Sequence, residues 1–297
     1  ANGLLNGQTP EQVHGRLATT DELGMAVDGA AYVQESTPES LDVKREIYAK
    51  LDAAAPKNAV LVVTGDFNER EARGWIEKYF ADIPAQTPDK IPDISEPRQT
   101  EERTVTKSDK LANKPGVAFG YKMPERGTPE YYAMGLIDQI MLQGEDSLLY
   151  KEFVKDRGFA GGVGGGINSG LGNMFNYNGP MLFDISVIHD DKFSAADITK
   201  SLDSVVASLQ EKEVSQKDID RGLVKLRSGL YDTMTQFGGF GRADLLACFA
   251  IFDDNPQKIN QIEANFRRVT PALIKRTAKE YLRSTNRTTV VLKAEGK

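Results

Sequence analysis

Threonine–proline pairs recur along the chain, and those at Thr9-Pro10, Thr37-Pro38, Thr128-Pro129 and Thr270-Pro271 predict where helices begin. A threonine side chain satisfies free amide donors of the first helical turn, and proline at the first helical position lacks a donor that would have no partner anyway. After the first three pairs comes a glutamate, Glu11, Glu39 or Glu130, which suits the positive end of the helix dipole. Between the second and third of these helix starts, Asn58–Gly65 is rich in β-branched residues and runs into a Gly-Asp turn, so it reads as a buried strand. Glu69–Phe80 follows, with Ala72, Trp75, Ile76, Tyr79 and Phe80 at helical spacing and one face expected to lie on a sheet.

From Ile83 to about Asp109 the chain carries Pro84, Pro88, Pro92 and Pro97 among many charges, and it reads as an interdomain linker. Beyond it, Gly116–Lys122 is a predicted strand, Thr128 caps a helix running to about Leu142, and Ser147–Lys155 makes another. Gly161–Asn168 and Pro180–His189 read as extended, joined by a turn over Asn173–Gly179. Helices are predicted over Ala195–Gln210, Gln216–Gln236, Arg242–Phe252 and Pro271–Leu282, and a last strand over Thr288–Lys293. This partial segregation of strands from helices predicts an α+β fold, a two-layer sandwich with helices on one sheet face.

Of the 297 residues 40% are hydrophobic, enough for one large or two ordinary cores. The formal net charge of -6 argues against a partner held by phosphate neutralisation, so no nucleic acid is expected. The strongest apolar runs, Ala59–Val63 and Leu245–Phe252, fall well short of the roughly 20 residues that cross a bilayer, and no membrane insertion is expected. Residues Ala1–Gly7 lack a cationic start followed by an apolar run, so no signal peptide is visible there. The sole cysteine, Cys248, sits in an apolar helical pattern and reads as a buried structural thiol.

The polar residues give little support for independent catalysis. A zinc peptidase needs nitrogen or carboxylate ligands converging on one ion and a carboxylate to activate the bound water. The chain holds only His14 and His189, neither within a paired-histidine helix, and His189, beside Asp190 and Asp191, reads as a surface or edge histidine. Gly161–Gly166 lacks the Lys-Ser/Thr that completes a phosphate loop, and its glycines read as relief of crowding or as room for another backbone. Asp253-Asp254-Asn255 lacks the calcium-loop spacing and reads as a turn that ends a helix. No serine, nor Cys248, has a histidine in a nucleophile context. No catalytic and no metal-binding residue is assigned.

Several segments, in order, resemble the pitrilysin/insulinase family of zinc peptidases, which includes the mitochondrial processing peptidases. Glu35-Ser-Thr-Pro-Glu-Ser-Leu41 resembles the family's Gly-Thr-x-Glu-x-Leu helix start, and Pro56-Lys-Asn-Ala-Val-Leu-Val-Val-Thr-Gly-Asp-Phe67 resembles its strand ending in Gly-Asp-Phe. Glu77–Pro84 fits the helix that ends the first domain. Gln143–Tyr150 with Val154–Ala160 is similar to the Gly-x-x-Ser-Arg-Leu region of the second domain, and Val269–Leu282 to its last helix. The resemblance implies processing-peptidase-type α/β sandwiches: an incomplete first domain over 1–83, with 1–34 poorly matched, a linker over 84–109 and a second domain over 110–297.

It also implies what is missing. Active members carry a His-x-x-Glu-His helix in the first domain, and that motif is not in this chain. Many members hold substrate with an arginine and a tyrosine of the second domain; the matching positions are Val154 and Gly161, which supply neither group, as in the metal-bearing type of the bacterial two-subunit pairs. The expectation is part of a zinc-dependent peptidase that encloses a peptide or unfolded protein, with zinc in the complete enzyme and none on this chain. The expected partner is a metal-bearing amino-terminal half or subunit, and a dimer is compatible. The alternative is a non-catalytic structural or assembly subunit. The candidate substrate-binding residues are Gly162, Val163, Gly164, Gly165 and Tyr177, with an extended peptide adding to the Gly161–Asn168 strand. Tyr131, Tyr132 and Phe175 read as ordinary packing. The expected compartment is the bacterial periplasm or cytoplasm, with the periplasm favoured.

Overall fold

The computed structural model describes residues 60–82, 93–170 and 172–296. The chain divides into two compact units; the described part of the first is residues 66–82, and that of the second is residues 60–65, 93–170 and 172–296. The helix starts expected at Thr9 and Thr37, together with His14, lie outside the described residues.

The first unit contains helix α1, Glu69–Phe80, as the periodicity predicts. Asn68 caps it by accepting hydrogen bonds from the amides of Arg70 (3.0 Å) and Glu71 (3.2 Å). The expected packing of its apolar face differs: no residue of α1 is buried, and Trp75 is 58% exposed. The strand expected over 58–65 also differs. Residues 60–64 form no strand, and Val60, Leu61 and Val63 are exposed. The physical reason is that a strand is stabilised by a neighbouring backbone, and no described strand pairs with this run.

The second unit is built on a five-stranded mixed sheet of order β1-β5-β2-β4-β3, where β1 is Arg103–Asp109, β2 Gly116–Lys122, β3 Gly164–Ile167, β4 Leu182–Ile188 and β5 Arg287–Ala294. Strand β1 runs parallel to β5, from Arg103 opposite Thr288 to Asp109 opposite Ala294, and the other pairings are antiparallel. Residues 103–109, expected as the end of a linker, are therefore an edge strand. The stretch before it is also fixed to this unit: the Gln99 side-chain amide donates to the Arg287 carbonyl (2.7 Å), and Lys122 donates to the Pro97 carbonyl (3.1 Å).

Side chains alternate across the strands. Val117, Phe119 and Tyr121 of β2 and Phe183, Ile185 and Val187 of β4 point into the helix layer and are buried. Leu182 and Ile188, on the opposite face, are exposed. The covering layer contains α2 (Pro129–Met141), the short α3 (Leu148–Tyr150) with a wider π turn over Lys151–Asp156, α4 (Ala195–Glu211), α5 (Gln216–Asp253), α6 (Ile262–Arg267) and α7 (Pro271–Tyr281). Met134, Ile137, Met141, Ile198, Leu202, Ile274 and Ala278 from these helices complete the core. Thr128 and Thr270 cap α2 and α7 as predicted, and Ser194 caps α4 in a reciprocal box with Asp197.

Helical hydrogen bonding runs from Gln216 to Asp253, where two helices were expected. The run is not a straight rod. A β-carbon on Gly241 would overlap the carbonyl of Thr233, whereas residues eight apart in a straight helix are separated by about 12 Å along the axis. The chain bends sharply here, and Gly241 permits the close approach. Asp254, at φ +48°, ends the run, in agreement with the turn read at Asp253–Asn255. Among the described residues no helix is long and apolar enough to cross a membrane.

Candidate functional site

Strand β3 lies at the edge of the sheet, four residues long and three of them glycine. Gly165 and Gly166 adopt φ of +127° and +149°, values that side-chain-bearing residues rarely take. At Gly165 a β-carbon would also overlap the Asp184 carbonyl of β4, so β3 and β4 approach more closely than any other residue would allow. Gly162 has open space where a side chain would be, and Gly164 is exposed. Gly162 and Gly164 are thus exposed, whereas Val163 and Gly165 are half-buried, Val163 packing against the core.

Tyr177 belongs to a different constellation. Its carbonyl accepts from Arg126 (3.4 Å), its ring lies against Gly179, and among the described residues no hydrogen bond links it to Gly162–Gly165. Arg126 also donates to the carbonyl of Phe175 (2.6 Å) and pairs with Asp253 (3.0 Å), while its guanidinium stands over Phe249 and Phe252. This buried latch ties the loop before α2, the β3–β4 loop and the end of α5. Tyr131, buried, donates its hydroxyl to the Met174 carbonyl and packs edge-on to Tyr132, which is a structural role.

Behind the glycine strip stands a buried carboxylate that the sequence reading missed. Asp138 of α2 is 8% exposed and accepts from the side-chain amides of Gln139 (3.0 Å) and Gln143 (2.8 Å). The Gln143 amide also donates to the Gly165 carbonyl (3.2 Å), so one side chain bridges the carboxylate and the strand. Burial pushes the Asp138 carboxyl up to about 6, against the lowering effect of the two amides and with a raising contribution from Asp184. Asp184, opposite Gly166 in register, is itself held above the ordinary carboxylate range by burial. The available signal was an acid at position 138 within the apolar run Gly135–Met141.

The remaining candidates are structural. His189 is 3% exposed, so the surface position expected for it is corrected: its Nδ1 lies 3.0 Å from the Asp190 carbonyl and its amide donates to Pro115. It closes the end of β4. Burial raises the Cys248 thiol to about 11, as befits a structural cysteine. An open groove of about 450 Å³ lies between α4 and the β1–β5 edge, lined by Glu102, Lys200 and Asp203 among others. Both of its carboxylates are already committed to the buried Arg287, at 2.7 and 2.5 Å. Among the described residues no three His, Cys, Asp or Glu side chains cluster to hold a metal ion. This donor set does not fit a zinc site.

Sequence comparison divides the chain. Residues 53–226 match the peptidase M16 inactive domain, and residues 1–66 match the NAD-binding domain of 3-hydroxyacyl-CoA dehydrogenase. The chain is 23% identical over 247 residues to the zinc protease PqqE of Helicobacter pylori, covering 80% of this chain and 52% of that protein. A crystal structure of a protease from Helicobacter pylori superposes with a TM-score of 0.62 at 21% identity, covering 77% of this chain and 53% of that one, which shows the fold. The chain thus spans about half the length of these relatives. A stretch of 59 residues is 48% identical to L-carnitine dehydrogenase of Streptomyces coelicolor, 20% of this chain and 17% of that enzyme. Glu35–Leu41, which resembles a pitrilysin-family helix start, falls inside the dehydrogenase-like match and before residue 53, where the M16 match begins.

Proposed function

Because the chain belongs to the peptidase M16 inactive-domain family, we propose that it is the non-catalytic, substrate-enclosing part of a zinc-dependent peptidase. The observation that carries this reading is the glycine-rich edge strand β3 with exposed glycines at Gly162 and Gly164, in a domain whose described residues offer no metal donor set. An unfolded peptide can add to such an edge by main-chain hydrogen bonds. Zinc, its ligands and the activated water belong, on this reading, to a metal-bearing half supplied as preceding chain or as a partner subunit. Tyr177 serves by fixing the loop that follows the edge strand.

The test measures zinc by elemental analysis, and cleavage of an unstructured peptide, on the chain alone and after mixing with a metal-bearing M16 half. Zinc and cleavage in the mixture only are expected. Cleavage by the metal-free chain alone would overturn the reading. A second reading, an assembly subunit without a role in proteolysis, draws on Val154 and Gly161, which stand where the family resemblance implies arginine and tyrosine. A complex that forms with the metal-bearing half and still cleaves nothing would favour it.

A further inference from the structure

The backbone groups of an edge strand point alternately toward the sheet and away from it. In β3 the amide of Asn168 donates to Leu182 of β4 (2.8 Å), which directs the groups of Gly166 inward and those of Gly165 and Ile167 to the free edge. The Gly165 carbonyl is therefore one of the acceptors an incoming strand would use, and the Gln143 amide already occupies it. A primary amide has two hydrogens, and here one goes to Asp138 and the other to Gly165. We infer that Gln143, aimed by Asp138, is a gate on the β3 edge that competes with an extended peptide for the Gly165 carbonyl. This rests on the reading of β3 as the peptide-binding edge.

The geometry gives the gate a direction. A charged acceptor holds an amide more tightly than a neutral one, so the Asp138 carboxylate keeps Gln143 in place and its protonation loosens it. The other charged groups near the clasp are Asp184 of β4, which raises the Asp138 carboxyl, and Lys225 of α5, which donates to the Gln143 carbonyl (2.9 Å) and pairs with Asp146, itself paired with Arg221 (2.8 Å). Lys225 holds the Gln143 backbone in either state, so the gate moves at the side chain.

The experiment uses the full chain and a fluorescent, unstructured peptide rich in valine and threonine and free of groups that titrate near neutrality. Binding is read by anisotropy and the site by hydrogen exchange of the β3 amides. Gln143→Ala and Asp138→Asn are expected to bind about five- to tenfold tighter than the native chain at neutral pH, the effect of removing one competing hydrogen bond. The native chain should approach the variants as pH falls through about 6, with Asp138→Asn insensitive to pH. Equal affinity in all three proteins, with β3 still protected by peptide, overturns the gate and leaves the binding edge standing. A pH response that survives Asp138→Asn overturns the assignment to Asp138. Absence of binding or protection in all three removes both. Asp138→Asn, nearly isosteric, keeps the test valid if Gln143→Ala fails to fold.

Discussion

Helices α1 and α7 begin alike and end differently. Each opens on a capping side chain, Asn68 or Thr270, and each carries a lysine in its last turn, Lys78 or Lys279. Both are strongly amphipathic in sequence. Yet α7 buries Ile274, Thr277 and Ala278 completely, while no residue of α1 is buried. Caps and apolar spacing therefore specify that a helix forms, and burial requires a partner layer as well.

Four measurements sharpen or break that contrast. Phe119→Ala, in the sheet beneath the helix layer and fully buried, should lower the unfolding free energy by about 3–5 kcal/mol in denaturant titrations. A loss no larger than that of an exposed site would contradict a single packed core.

Next in size is the pH response of Asp138. Above about 6 the folded chain holds a charged carboxylate that its buried surroundings disfavour. As pH falls through that value the folded state takes up a proton that the unfolded chain, with an ordinary carboxyl near 3.8, does not yet bind. Stability therefore rises as pH falls between the two values, by up to about 3 kcal/mol, and Asp138→Asn should flatten this part of the profile. Identical profiles for both proteins would remove Asp138 as the cause.

A smaller effect tests the buried layer of α7. The Thr277 hydroxyl is buried with no hydrogen-bond partner, so Thr277→Val should stabilise by about 1 kcal/mol, seen as a higher Tm. A clear loss would mean the hydroxyl has a partner, such as a bound water. Smallest of all, Trp75→Ser on α1 should change the unfolding free energy of the chain by less than about 0.5 kcal/mol. A loss comparable to Phe119→Ala would show α1 to be as deeply packed as α7.

The same contrast explains how much could be read in advance. Strands β2, β4 and β5 and the starts of α2 and α7 were legible because alternation, β-branched residues and capping chemistry are local signals. Strand β1 was not. Arg103–Asp109 is exposed throughout and lacks a buried face, so what makes it a strand is the backbone of β5, almost two hundred residues later. For the candidate site, the glycine run was visible but the reason for Gly165 was not, because the Asp184 carbonyl that requires it comes from another strand. The clasp of Asp138, Gln143 and Gly165 joins the end of a helix to a sheet edge, and its only local trace is a lone acid among apolar residues.

Strand β5 sits between β1 and β2, so the last strand described is inserted into the middle of the sheet. During synthesis on the ribosome, β1 has no neighbour and β2 lacks one side until Arg287–Ala294 has been made. The growing chain must carry an incomplete sheet with unpaired edges through most of translation, a state prone to association with other chains. Production of this domain should therefore depend on what shields nascent chains more than its folded stability alone would suggest, and a stop codon just before β5 should yield aggregate instead of a smaller soluble domain.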